Sequence, residues 1–124
     1  MKKILVMAFA LHTVSSTVFA DDKDQAPRDP APLKGRYALY AGELGEKTAP
    51  TRNDRKLAIE ITGQAAKDMF ESMYPDYHPT CSNERGDRDR RKGQLYCAYS
   101  VQVGYRCFLG YDLRSGKTIA GASC

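Results

Sequence analysis

The stretch Lys56-Leu-Ala-Ile-Glu-Ile-Thr-Gly-Gln-Ala-Ala-Lys-Asp-Met-Phe-Glu-Ser-Met-Tyr-Pro75 changes its period midway. From Lys56 to Thr62, Leu57, Ile59 and Ile61 fall on one side and Lys56, Ala58 and Glu60 on the other, the alternation of a half-buried strand. After Gly63, Ala66, Met69, Phe70 and Met73 follow at i, i+3, i+4 and i+7, which places them on one face of a helix. Lys67, Asp68, Glu71 and Ser72 take the remaining face. Thr62 is the expected N-cap, and Pro75 stops the helix near Tyr74, so the helix is placed over 64–74.

Working outward from this strand and helix, further period-two segments appear. Tyr37, Leu39 and Ala41 alternate with Arg36, Ala38 and Tyr40 between Gly35 and Gly42. Leu95, Cys97, Tyr99 and Val101 form another set, followed by Tyr105, Cys107, Leu109, Tyr111 and Leu113, and Thr118 to Cys124 reads as the last strand. Residues 43–54 and 75–93 carry the glycines, prolines and charges of exposed loops. The fold class is therefore α+β, an antiparallel sheet of about five strands with one helix packed on one face, stapled by two disulfides.

The chain has 124 residues and a formal net charge of +4. Residues 1–20 have the form of a secretory signal peptide: Lys2 and Lys3, an apolar run from Ile4 to Leu11, and Val18-Phe19-Ala20 before Asp21-Asp22. Residues 21–34, with three prolines and few apolar side chains, read as a flexible leader, and 35–124 as a single small domain. Lys2 and Lys3 are two of the nineteen basic side chains, so 17 basic groups face 15 acidic ones in the processed chain. That balance lacks the strongly basic footprint of charge-driven nucleic-acid binding. No cysteine lies near residue 21 to carry a lipid, and no later stretch approaches the ~20 apolar residues that span a bilayer. The expected location is periplasmic or secreted, without a membrane anchor after cleavage.

Fourteen Ile, Leu, Val and Phe side chains follow residue 20, a thin core that eight tyrosines supplement. Cross-links compensate in domains this small, and the four cysteines, Cys81, Cys97, Cys107 and Cys124, are expected as disulfides in an oxidising compartment. A two-residue turn at Ser115-Gly116 would set Cys107 directly opposite Cys124, close enough to bond. This predicts Cys107–Cys124 and, by elimination, Cys81–Cys97. The rival pairing is Cys97–Cys107, since a turn centred on Gln102 would also place those two opposite each other.

No residue pattern selects a catalytic set. After the signal peptide His78 is the only histidine, and it sits in a loop. Glu60, Glu71 and Asp112 are candidate carboxylates, but no spacing pairs any two of them. Phosphate-cradling, zinc and calcium patterns are absent, so neither cofactor nor metal is expected. The balance favours binding over catalysis. Arg85, Arg88, Arg90, Arg91 and Lys92, set against Glu84, Asp87 and Asp89, hold the whole excess charge of the processed chain and suggest a docking loop for an acidic protein surface. Tyr77, Tyr96 and Tyr40 are further candidate contacts, because Tyr and Arg dominate interface hot spots.

The plan of signal peptide, acidic leader, antiparallel sheet, single helix and two disulfides is similar in architecture to periplasmic lysozyme inhibitors and to immunity proteins against secreted toxins. The likeness is one of architecture only; the export signal, the disulfides and the missing catalytic set point to a binding protein of the inhibitor or immunity kind, acting by occlusion of a partner protein. The alternative is a small envelope hydrolase or envelope-polymer binder that uses carboxylates and tyrosines.

Overall fold

The computed structural model describes residues 28–124; the segment read as a signal peptide, and the leader up to residue 27, lie outside the described residues. Among the described residues seven strands and one helix follow in order: β1 Lys34–Glu43, β2 Glu46–Thr48, β3 Lys56–Thr62, α1 Gly63–Ser72, β4 Arg88–Lys92, β5 Leu95–Ser100, β6 Gly104–Asp112 and β7 Thr118–Ile119. They form one antiparallel sheet in the order β2-β1-β3-β6-β5-β4, with the short β7 paired to β6 beyond the end of β5. The chain lays down β1 to β3, crosses to the far edge through α1 and the segment after it, and returns by two hairpins until β6 meets β3.

The sheet has more strands than the five expected. β2 lies inside the segment read as the 43–54 loop, and β4 inside the 75–93 loop. The last strand is shorter than expected, two residues instead of Thr118 to Cys124. In β4 the alternating side chains are all charged, so the period-two signal has no apolar contrast to reveal it. The helix begins at Gly63 and ends at Ser72, two residues before Tyr74. Thr62 occupies the N-cap position, yet its side chain makes no capping hydrogen bond.

Period and register together assemble the core. Ile61, Cys107 and Cys97 lie side by side across β3, β6 and β5 on the face that receives α1. Ala66, Phe70 and Met73 come down on them from the helix, with Ile59, Met69, Leu95, Tyr99, Tyr105 and Leu109 packed around. The Phe70 ring meets Tyr105 edge-on at 5.3 Å, and Tyr105 in turn meets Tyr99 at 4.8 Å. Aromatic area thus supplies what the short aliphatic list lacks.

All four cysteines are bonded, but not in the predicted pairs. Cys97 bonds Cys107 and Cys81 bonds Cys124. The predicted Cys107–Cys124 and Cys81–Cys97 pairing fails because the last turn is longer than two residues. The Asp112 N–H bonds the Lys117 carbonyl at 2.9 Å, and the Gly116 N–H bonds the Asp112 carbonyl at 2.7 Å. Tyr111 therefore faces Thr118, two positions out of the expected register, and pairing stops at Ile119. The turn centred on Gln102 puts Cys97 opposite Cys107 with α carbons 4.0 Å apart, buried beneath the helix. Beyond β7 the chain runs against β6 so closely that a side chain at Gly110 would overlap the Ala120 carbonyl. This carries Cys124 to Cys81.

Candidate functional site

Arg88, Arg90 and Arg91 of the basic segment are tied to the rest of the domain. Arg88 forms a two-pronged contact with Asp76, its Nε and Nη2 donating at 2.8 and 2.9 Å, and the Arg90 Nε donates to the same carboxylate at 2.9 Å. Those two guanidiniums, Arg88 foremost, hold the Asp76 carboxyl down at about 2. Arg90 is buried, lies 4.3 Å over the Phe70 ring and donates through Nη1 to the Phe70 carbonyl at 2.7 Å. It satisfies the C-terminal end of α1, whose last turn carries no basic residue of its own.

Asp89 and Arg91 project to the other face of the sheet. The buried Asp89 carboxylate accepts the Cys81 N–H at 2.7 Å, while its main chain bridges to Tyr77. The Arg91 guanidinium lies between the Tyr77 and Tyr96 rings, 5.0 and 4.6 Å from their centres, and Tyr96 stacks on Phe108 at 5.6 Å. Burial, reinforced by the Asp89 carboxylate, pushes the Tyr96 hydroxyl up to about 12. Of the side chains singled out for partner contact, Arg90, Arg91 and Tyr96 are thus engaged inside the protein. Arg85, Arg88, Lys92 and Tyr77 are exposed, Arg88 through the part its ion pair leaves free. Tyr40, also singled out, is buried at 2 % exposure, and that burial raises its hydroxyl pKa.

The candidate carboxylates occupy separate places. Glu60 lies on β3 between Arg36 and Arg106, Glu71 pairs with Lys67 along the helix, and the Asp112 carboxylate accepts the Arg114 N–H at the β6–β7 turn. His78 is exposed. Among the described residues no three His, Cys, Asp or Glu side chains are grouped to hold a metal ion.

The opposite end of the sheet is built differently. A helix is about 10 Å across and strands lie about 4.8 Å apart, so one helix covers two or three strands. α1 covers β6 with β3 and β5 beside it, which leaves the same face of β1 open. Leu33, Tyr37 and Leu39 stand there at 61 %, 73 % and 45 % exposure, and with Leu57, Ile59 and Ile61 they line a shallow groove of about 500 Å³. The outer side of β1 is open as well: β2 pairs with Ala41–Glu43, and among the described residues no strand pairs with 34–40 on that side. Behind it, a cleft of about 470 Å³ runs between Leu44 and Lys47 of the β1–β2 hairpin and the C-terminal segment 121–123, with Arg36, Glu60 and Phe108 in its lining.

Neither a known protein family, nor a curated protein, nor a solved structure matches this chain. Its own geometry therefore carries the functional argument. Alternation in β1 looks the same whether or not a helix covers the apolar side, so it does not mark Tyr37 and Leu39 as exposed, and Leu33 falls in the segment read as a flexible leader. The signal available was the size of the single helix against the number of strands.

Proposed function

We propose that this chain is an exported, disulfide-stapled binding module of the inhibitor or immunity kind, periplasmic or secreted, which covers a partner protein and performs no chemistry on it. The open apolar side of β1 carries this reading. Three large apolar side chains at a sheet edge are costly to leave in water and are suited to protein contact. Lys34, Arg36 and Lys47 around the same edge, with Arg85 and Lys92 elsewhere on the surface, favour a partner with acidic groups. The export reading rests on the Lys2 to Ala20 pattern together with the two disulfides.

A second reading, an envelope-polymer binder or small hydrolase, draws on the cleft behind β1. One acid, Glu60, lines that cleft and is held between two arginines. Paired-carboxylate chemistry needs two acids with separated proton affinities, so the cleft suits sugar or peptide binding better than hydrolysis.

The test is capture from envelope extract with wild-type bait and with Tyr37→Lys bait at equal folded concentration. One identified partner, held by wild type and lost by Tyr37→Lys, is the expected outcome. Retention by both baits would remove β1 from the account.

A further inference from the structure

We propose that the partner docks by strand addition: an extended segment in which acidic and apolar residues alternate lies along the outer side of β1 at 34–40. This rests on the binding reading above and specifies how the edge is used. A strand edge offers the N–H and C=O groups of alternate residues to whatever lies beside it. β2 already uses that side of β1, pairing Thr48 with Ala41, so an incoming strand continues a row that the chain itself begins. The seven residues from Lys34 to Tyr40 match the length of an ordinary strand.

The two faces of the edge dictate the chemistry of the occupant. Toward the helix side β1 presents Tyr37 and Leu39, with Leu33 just before it and Gly35 between. Toward the other side it presents Lys34, Arg36 and Ala38, with Lys47 sharing the cleft with Arg36; Glu60 on β3 pairs with Arg36 and Arg106 there, and the four basic groups still outnumber that one acid. An added strand shows its side chains to the same two faces in turn, and directly opposed like charges destabilise a pair. Apolar residues at every second position and acids at those between fit both faces. A second copy of β1 would bring its own Lys34 and Arg36 onto the already basic face, so charge argues for a partner of different sequence. The other edge of the sheet invites no such addition: β4 is a run of charges bridged by Tyr77 at Asp89.

The 15N-labelled protein, purified from an exporting host, is titrated with a synthetic peptide of about seven residues that alternates Val and Glu, with a Val–Lys peptide as control. The expected result is saturable amide shifts confined to β1 and the adjacent β3, binding about tenfold weaker or more for the Val–Lys peptide, and reversal of that preference in Lys34→Glu. Equal affinity for the two peptides, shifts centred on Arg88–Lys92 or on the cleft at Leu44 and Ser123, or no shift at millimolar peptide would overturn strand addition. So would a concentration-dependent dimer that broadens the β1 amides without peptide, since the occupant would then be a second copy. If the peptide fails while a native partner is still lost on Tyr37→Lys, the binding surface stands and strand addition falls. A native partner that survives Tyr37→Lys overturns the binding reading itself.

Discussion

The two ends of this sheet solve the same problem in opposite ways. At the β4 end the exposed edge is a charged strand, its arginines are spent on Asp76 and on the end of α1, and Cys81–Cys124 ties down the segment leading into it. Beneath α1, Cys97–Cys107 cross-links the neighbouring strands β5 and β6. At the β1 end neither helix nor disulfide intervenes among the described residues, and Leu33, Tyr37 and Leu39 are exposed. The cross-links and the most deeply buried side chains, Phe70, Cys97 and Cys107, lie on the half under α1 or beside it, whereas Leu33, Tyr37 and Leu39 on the other half stay exposed. On the binding reading proposed above, stability and binding rest on different strands.

The strongest way to break this comparison is to mutate both halves alike. Phe70→Ala should cost about 3–5 kcal/mol, the usual range for emptying a buried aromatic site. Tyr37→Ala should change stability by about 0.5 kcal/mol or less, as at an ordinary surface position. Urea unfolding of the two variants measures both, and similar losses would mean that Tyr37 is part of the core. Replacing Cys97 and Cys107 together by Ala should cost about 2–5 kcal/mol. A smaller loss would shift the stabilising role to Cys81–Cys124, and peptide mapping without reduction identifies the pairs directly.

Arg90 sharpens the picture at intermediate size. Arg90→Met leaves the Phe70 carbonyl and part of Asp76 without a donor, which should cost about 1–3 kcal/mol. Asp76 adds a pH signature. Its carboxyl sits at about 2 against an ordinary 3.8, because Arg88 and Arg90 favour the ionised form. The stabilisation is complete above the unfolded-state value and is lost as pH falls from about 4 toward about 2. Asp76→Asn should therefore lower stability at neutral pH, and its deficit relative to wild type should shrink across that acid window. A deficit independent of pH would show that charge on Asp76 is not what matters. At the small end, Arg85→Gln with Lys92→Gln should leave melting unchanged within about 1 °C, since exposed surface charges contribute little to stability. Thermal melts followed by circular dichroism check this.

Much of this architecture was legible in residue spacing. The strands β1, β3, β5 and β6 follow from alternation, and the helix follows from the shift to i, i+3, i+4 at Ala66, Met69 and Phe70. β4 was hidden because Arg88 to Lys92 carries no apolar alternation, although Asp89 and Arg90 are both buried. The cysteine pairing turned on the length of a single turn, which Arg114-Ser-Gly-Lys117 does not fix: a shift of two positions preserves the face and changes the partner. The basic run reads as a docking loop from its charge, and charge alone does not reveal the acid, carbonyl and rings that Arg88, Arg90 and Arg91 meet. Tyr37 and Leu39 carry the pattern of buried residues, Leu33 falls in the segment read as a leader, and the reach of α1 leaves all three outside the core.

Amide hydrogen exchange, measured on the protein alone and bound to the partner recovered by wild-type bait, tests the division between the two halves most directly. The account predicts that Cys97 and Cys107 lie in the slowest-exchanging region in both states, with new protection on binding confined to Lys34–Tyr40 and no change at Arg88–Lys92. New protection at Arg85–Lys92 with β1 unchanged would contradict it.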